Sequence, residues 1–155
     1  MDHDIERADI ASERAEYLAR DYSRGFIAFC GFRAEEIRRG FFRSRVDIRD
    51  AHRQQDGFIH AGVMATMADH TAGYAAFTIV PEDYQILTIE FKINFLRPGY
   101  GEGLECISRV IREGSGILVA ESEVHDLRGR ERALTAKAMV TLAAVHRDRL
   151  RSEHG

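Results

Sequence analysis

Asp69 is the residue of this 155-residue chain whose surroundings most strongly suggest chemistry, because it lies inside the longest apolar stretch, residues 61–80. A carboxylate in an apolar helix costs several kcal/mol, on the order of the burial penalty of a charge, unless it is paired or hydrated. That stretch contains no Lys or Arg. Asp69 is therefore compensated from elsewhere in the fold, as a carboxylate that caps or bonds a neighbouring loop, or it is retained for chemistry.

Small residues share the helix face of Asp69. At about 100° per residue, the positions that lie on this face are Gly62, Ala65, Thr66, Asp69, Gly73 and Ala76. The opposite, bulkier side carries Val63, Met64, Met67, Tyr74 and Ala75. A face of small side chains lets a ligand, or the matching helix of a second subunit, approach the backbone. We therefore expect Gly62 and Thr66 to line a binding site beside the carboxylate.

The segment His60-Ala61-Gly62 precedes and begins the same predicted helix. The first amides of a helix have no partners within it and carry the positive end of its dipole. Small side chains at this point leave room for an acyl oxygen, and such amides can stabilise an oxyanion. A plain loop-to-helix junction, with His60 as its entry residue, is the simpler interpretation of this segment alone.

Metal and nucleotide chemistry are not indicated. His60 and Asp69 are nine residues apart and lie about half a turn out of phase on one helix, so that a site with His70 would diverge. The sequence contains no HExxH, CxxC, GxSxG or phosphate-loop motif, and its glycines at positions 99, 101 and 103 fit a turn between strands. The sequence predicts no metal and no cofactor.

Composition excludes further classes. The formal net charge is −3 with basic residues spread along the chain, which argues against nucleic-acid binding. Cys30 and Cys106 are far apart and are expected to be reduced thiols of a cytoplasmic protein. Residues 1–10 are acidic and polar, which is not typical of a signal peptide. Asp69 and His70 inside the apolar stretch argue against a membrane span.

The sequence around this helix predicts the elements that position it. We expect a helix over residues 12–20 with Ser12 as its N-cap, a short helix over 26–31, and a strand over 41–50. Residues 54–60 are predicted as a loop, and 61–78 as a helix that ends before Pro81. The predicted division of the chain is an N-terminal helical segment over residues 1–40 within the same domain, a main part over 41–146, and a charged, frayed tail over 147–155.

Strands are predicted after Pro81, over residues 86–96, 104–112, 117–126 and 132–145, as a hairpin-linked meander. The first alternates, with Ile89, Phe91, Ile93 and Phe95 on one face and Thr88, Glu90, Lys92 and Asn94 on the other. A helix that is apolar on nearly all sides needs cover, which one curled antiparallel sheet supplies. The expected fold is α+β, an antiparallel sheet wrapped around a long central helix. One sheet leaves an edge and a face exposed, so a dimer is expected.

The residues between Gln54 and Asp69 resemble the PaaI-like group of hotdog-fold acyl-CoA thioesterases. That pattern is an Asn or Gln, then His-Gly-Gly at a helix start, then an acid on the helix. Gln54 stands fifteen residues before Asp69, and His60-Ala61-Gly62 departs from the pattern only at Ala61. The segment Thr88 to Gly99 resembles the strand that follows the helix. The resemblance extends from about residue 41 to residue 145, and it implies a hotdog fold.

The resemblance implies roles for three of these residues. Asp69 would be the nucleophile or the general base toward a thioester carbonyl. The main-chain amide of Ala61 would polarise that carbonyl, and alanine can supply it where φ is negative. Gln54 would orient water or the thioester from the facing subunit.

Thr88 and His60 complete the implied site. Thr88 falls where some members of the group carry a hydroxyl that holds the attacking water. In other members that hydroxyl lies four residues after the acid, which here is Gly73. His60 is expected to orient the loop. Self-association as a dimer is implied, and pairing of dimers into a tetramer stays open.

Three functions stay open. The first is hydrolysis of an acyl-CoA or aryl-CoA thioester. The second is non-catalytic binding of an acyl-CoA or another acyl ligand, which Ala61 in place of glycine favours. The third, a dehydratase or hydratase of the same fold, is disfavoured because no proline occurs between Gln54 and Asp69. The acyl group is undetermined, and the candidates to line its pocket are Phe58, Met64, Met67 and Tyr74.

Overall fold

The computed structural model describes residues 9–152. The helices are α1 (Ser12–Tyr22), α2 (Phe26–Cys30), α3 (Ala61–Phe77) and α4 (Arg147–Ser152). The strands are β1 (Arg33–Arg38), β2 (Phe41–Asp47), β3 (Tyr84–Phe95), β4 (Gly103–Glu113), β5 (Ile117–Arg128) and β6 (Glu131–His146). All strand pairs are antiparallel, in one sheet of order β1-β2-β4-β5-β6-β3.

The core lies between the concave face of the sheet and α3. Along α3, Met67, Ala68 and Ala72 are fully buried, and they share the core with sheet residues such as Leu104 and Leu142. Burial of this apolar area, at about 25 cal/mol per Å², is what keeps the sheet curled around the helix. The predicted α+β architecture, an antiparallel sheet around a long central helix, is confirmed. No helix within residues 9–152 is long and apolar enough to cross a membrane.

The N-terminal part differs from its prediction in two places. Helix α1 begins at Ser12, but its N-cap is Ala11 and no side chain caps it, so the predicted capping role of Ser12 is wrong. Residues 33–38, within the segment predicted as helical, form the edge strand β1. Its sequence, RAEEIR, lacks apolar alternation because charged side chains cover the exposed edge, which is typical of edge strands.

The predicted meander is wrong at its first connection. Strand β3 pairs with β6, and β4 pairs with β2, so the segment between β3 and β4 carries the chain across the sheet. The hairpins β4–β5 and β5–β6 form as predicted. The tail, predicted as frayed, forms α4 up to Ser152, and its last three residues, like residues 1–8, lie outside the described part of the chain.

A β-bulge at Ile89 changes which side chains of β3 face the helix. Thr88 pairs with Leu142 and Glu90 pairs with Thr141, so Ile89 is the extra residue. Residues directly opposite each other in an antiparallel pair project to the same face. Thr88 opposite Leu142 and Phe91 opposite Val140 therefore both project toward α3. The prediction that Thr88 and Phe91 occupy opposite faces is wrong, because a bulge shifts the alternation by one.

Candidate functional site

Buried hydroxyl groups fix the rotation of α3 about its axis. Ser122 Oγ donates a 2.7 Å hydrogen bond to the carbonyl oxygen of Ala68. Thr71 Oγ1 lies 3.0 Å from the Tyr22 hydroxyl and 2.9 Å from Ser44 Oγ. Such buried bonds are costly to break because the remaining group is left unsatisfied. They bracket Asp69 in sequence and thereby determine the direction in which its carboxylate points.

Asp69 meets β3 through Thr88. Thr88 Oγ1 donates a 2.7 Å hydrogen bond to Asp69 Oδ1. No residue of the described chain, 9–152, donates to Oδ2 or forms an ion pair with this carboxylate. Asp69 is half-buried, so hydration accounts for a charge that the sequence would place in an apolar environment. One carboxylate oxygen is thus held by the protein, and the other is available to a water or a substrate.

A cavity of about 470 Å³ adjoins Asp69, a volume within the range of small-molecule sites. Its walls come from three elements. The other residues that line it are Arg24 in the turn before α2, Phe26, Ile27, Ala65, Thr66, His70 and Phe91. Thr66, predicted as substrate-binding, lies in this wall, and its Oγ1 donates to the carbonyl oxygen of Gly62 at 2.8 Å. The contribution of α2 had no signal in the sequence, since its contact with α3 is non-local.

His70 stands beside Asp69 in the same cavity wall. Its Nε2 donates to the Tyr22 carbonyl oxygen at 2.9 Å, and its ring centroid lies 4.6 Å from that of Tyr22 and 4.8 Å from that of Tyr74. Burial lowers the pKa of His70, although the hydrogen bond to Tyr22 and the negative charge of Asp69 oppose the shift. The imidazole is therefore favoured in its neutral form and is not a cationic partner for the carboxylate.

The start of α3 differs from its prediction. His60 is the N-cap, and its Nδ1 accepts the Gly62 N–H at 2.8 Å. The prediction of two free amides is therefore wrong for Gly62, because the imidazole satisfies one of them. Within residues 9–152 no acceptor receives the Ala61 N–H. The amide that remains free at the helix start is thus that of Ala61.

Gln54 lies in a second cavity, of about 550 Å³, which it lines together with His60, Ala61 and Phe58. Its Oε1 accepts the N–H of Asp56. Ala61 precedes Asp69 by eight residues, which is about 12 Å along a helix axis. A single chain therefore brings Thr88, Thr66 and Asp69 together, and it places Gln54, His60 and Ala61 in a different cavity.

The four residues that the sequence suggested for an acyl pocket lie in two different places. Met67 and Tyr74 belong to the core, and the Tyr74 hydroxyl donates to Asp21 at 2.7 Å. Phe58 and Met64 line the cavity of Gln54. None of the four lines the cavity of Asp69. Within residues 9–152 no three His, Cys, Asp or Glu side chains converge so as to hold a metal ion.

Comparison with known proteins gives a consistent family. Residues 56–133 match the family model of the thioesterase superfamily. A provisionally named esterase of Saccharolobus solfataricus is 34% identical over 94 residues, which cover 61% of this chain and 64% of the relative. A second protein so named, from Halobacterium salinarum, is 31% identical over 122 residues, 76% of this chain and 79% of the relative. The match thus spans a little under two thirds of the first relative's length.

Solved structures show the same fold. A thioesterase family protein from Silicibacter pomeroyi superposes with a TM-score of 0.83 at 31% identity, covering 86% of this chain and 98% of that one. The PaaI protein of the phenylacetic acid degradation operon of E. coli superposes with a TM-score of 0.75 at 19% identity, covering 86% and 95%. The second likeness concerns the fold alone.

Proposed function

The chain belongs to the thioesterase superfamily and has its hotdog fold, and we propose that it hydrolyses an acyl-CoA or aryl-CoA thioester to the free acid and CoA. The observation that carries the proposal is the state of Asp69. Thr88 holds one carboxylate oxygen, and no residue among 9–152 donates to the other, which lies beside a cavity lined by apolar side chains together with Arg24, Thr66 and His70. Membership of the family implies a thioester substrate, and the geometry supports Asp69 as the group that acts on it.

Asp69 can act in either of two ways. As a general base it takes a proton from water, whose oxygen attacks the thioester carbonyl carbon. As a nucleophile it forms an anhydride with the acyl group, which water then hydrolyses. In both cases the C–S bond breaks and the CoA sulfur leaves as a thiolate that takes up a proton. The Thr88 hydrogen bond orients the carboxylate for either step.

Two copies of the chain are needed to surround one carbonyl group. An attacking group and an oxyanion donor must both lie within about 3.5 Å of the reacting carbonyl. On one helix Ala61 and Asp69 are about 12 Å apart. We therefore assign to each site Asp69 and Thr88 of one protomer, with Ala61 and Gln54 of the partner subunit.

The edge strand β3 supplies a surface for this pairing. It ends the sheet, and the large apolar residues that it exposes are Leu87, Ile89, Phe91 and Phe95. Exposed edges with apolar side chains are templates for pairing with another chain. A second copy on β3 would cover these side chains and extend the sheet. Self-association as a dimer is therefore part of the proposal.

Alanine at position 61 is compatible with the proposed oxyanion donor. The donor is a main-chain N–H, and no non-glycine residue among 9–152 has a positive φ. Ala61 therefore adopts an ordinary helical conformation, and within residues 9–152 no acceptor receives its N–H.

Non-catalytic binding of an acyl-CoA or acyl ligand is the second candidate. The observation in its favour is the Ala61 side chain, which narrows the helix start relative to the glycine of the family pattern. This second candidate function predicts tight binding of acyl-CoA without release of CoA thiol.

One experiment separates the two. Purified protein is assayed by free-thiol detection with acetyl-, octanoyl-, phenylacetyl- and palmitoyl-CoA, together with Asp69→Asn and, as a matched control, Asp47→Asn, an exposed carboxylate on β2 outside both cavities. We expect Asp69→Asn to lose at least about 100-fold in kcat while Asp47→Asn retains activity. Substantial turnover by Asp69→Asn contradicts the assignment, and binding without turnover by the wild type supports the second candidate.

A further inference from the structure

Two aromatic side chains of helix α2 are largely exposed to solvent. Phe26 is 63% exposed and Phe29 is 77% exposed. Large apolar side chains grouped on a surface are typical of binding sites. Helix α2 also precedes the segment that matches the thioesterase family model, residues 56–133. Its role is therefore not one that the family match supplies.

The structure holds α2 firmly in place. Ile27, between the two aromatics, is buried in the core. At the C-terminal end, Arg49 Nη2 donates to the Phe29 carbonyl oxygen at 2.8 Å, and His52 Nε2 donates to the Cys30 carbonyl oxygen at 2.7 Å. These bonds satisfy carbonyl groups that a helix end leaves without partners. The two exposed aromatics are thus presented on a fixed support and not on a free loop.

Phe26 and Phe29 share one cavity, but they differ in their relation to the cavity of Asp69. Phe26 lines the cavity of Asp69, together with Phe91 from β3. Phe26 also lines a neighbouring cavity of about 310 Å³ at the start of α3, to which Phe29 contributes. Phe29 is not part of the Asp69 cavity. The acyl group of a thioester is attached to the carbonyl that would contact Asp69. Of the two aromatic residues, only Phe26 therefore lies where it can touch that acyl group.

We infer that α2 forms the wall of the acyl pocket and that Phe26 is a specificity-determining residue for an apolar acyl group larger than acetyl. The inference rests on the proposed function. The acyl group is bonded directly to the carbonyl that Asp69 must reach, whereas the nucleotide of CoA is highly charged. The part of the wall formed by Phe26, Ile27, Ala65 and Phe91 suits the former. Arg24, which also lines the cavity, is 78% exposed and pairs with Asp21. Acetyl is too short to gain from a side chain at the rim of the cavity.

The test compares kcat and KM of the wild type, Phe26→Ala, Phe26→Leu and Phe29→Ala with octanoyl-CoA and acetyl-CoA. We expect Phe26→Ala to lower kcat/KM for octanoyl-CoA about tenfold, mainly through KM, and to change that for acetyl-CoA less than about twofold. Phe26→Leu should recover most of the octanoyl preference. Phe29→Ala, the matched control on the same helix, should keep it.

Each other outcome overturns the inference. An unchanged ratio between the two substrates would remove Phe26 from the acyl pocket. An equal loss for both substrates, or dissociation of the oligomer of Phe26→Ala in light scattering, would make Phe26 a structural or interface residue. A wild-type protein that releases CoA from none of acetyl-, octanoyl-, phenylacetyl- and palmitoyl-CoA would remove the proposed function itself, and with it the basis of the inference.

Discussion

Thr88 Oγ1 and Asp69 Oδ1 are joined by a 2.7 Å hydrogen bond that connects β3 to α3. The contact depends on the bulge at Ile89, which turns Thr88 and Phe91 to the same face of the strand. It also depends on the hydroxyl groups of Ser122 and Thr71, which fix α3 from the sheet side. The direction of the Asp69 carboxylate is therefore determined by contacts from both sides of the helix.

Removal of the Thr88 hydroxyl tests this contact. Thr88→Val preserves the shape of the side chain and removes the donor, so we expect kcat to fall about 10- to 100-fold. The free energy of unfolding should change by less than about 1 kcal/mol, because water can replace a hydrogen bond at a half-exposed carboxylate. Thr88→Ser keeps the hydroxyl and should retain most activity. Wild-type kcat in Thr88→Val would show that the hydrogen bond has no part in the reaction.

The hydroxyl group that contacts Asp69 can be moved from Thr88 on β3 to position 73 on α3. Gly73 lies four residues after Asp69, and a Cβ placed there meets no heavy atom within 4 Å outside the local helix. The double variant Thr88→Val/Gly73→Ser should recover about tenfold in kcat over Thr88→Val alone, since residues four apart on a helix are neighbours. Thr88→Val/Gly73→Ala is the control and should show no recovery. Equal recovery in both would attribute the gain to the helix and not to the hydroxyl.

The cap that His60 forms at the start of α3 should contribute to the free energy of unfolding. His60→Ala removes the acceptor of the Gly62 N–H and should lower the free energy of unfolding by about 1 kcal/mol in urea titrations. His60→Asn, which can cap, should lose less. Gly62→Ala should resemble His60→Ala, because a Cβ at Gly62 would lie 2.9 Å from His60 Nδ1 and displace the ring. If His60→Ala is as stable as the wild type, the cap contributes nothing.

Local sequence patterns predicted most elements of the fold, and the errors have physical causes. The apolar stretch from Ala61 and the alternation after Pro81 indicated the central helix and the strands. Strand β1 was missed because an edge strand does not need an apolar face. The pairing of β3 with β6 was missed because it depends on the whole sheet and not on the connection between neighbouring strands.

The site was predictable where one helix carries it. Asp69 and Thr66 share a helical face that periodicity reveals, and both line one cavity. Gly62, predicted to lie beside the carboxylate on the same face, lines a different cavity. The side of β3 that carries Thr88 was not predictable, because a single-residue bulge leaves no pattern in the sequence. Phe26 and His70 were absent from the predicted site since tertiary packing alone brings α2 and the Tyr22 carbonyl to α3.

His70 makes stability depend on pH in a defined direction. Burial lowers the pKa of His70 in the folded protein below its ordinary value of 6.5, so the unfolded chain binds more protons just below that pH. The contribution of His70 to the free energy of unfolding is therefore complete above about pH 6.5, and it is lost as the pH falls through the folded-state pKa of His70. Burial also lowers the pKa of His125, with the same sign. Urea midpoints between pH 7.5 and 5.5 should fall less steeply for His70→Gln than for the wild type, and equal slopes would contradict this.

Mixed dimers test whether each site draws on two chains. Gln54→Ala and Asp69→Asn should each have low activity, but in a dimer of the two variants one site combines Asp69 of one chain with Gln54 of the other. Random pairing makes about half of the dimers mixed, with one intact site of two, so co-refolded protein should regain about a quarter of wild-type kcat. Thr88→Val with Asp69→Asn is the control, because these residues act from the same chain and no pairing restores a site. No recovery with Gln54→Ala would require each site to be built within one protomer, and the Ala61 amide, which no acceptor within residues 9–152 receives, would then have no access to a carbonyl held by Asp69. Recovery in the control would instead mean that Thr88 acts on the Asp69 of the other chain.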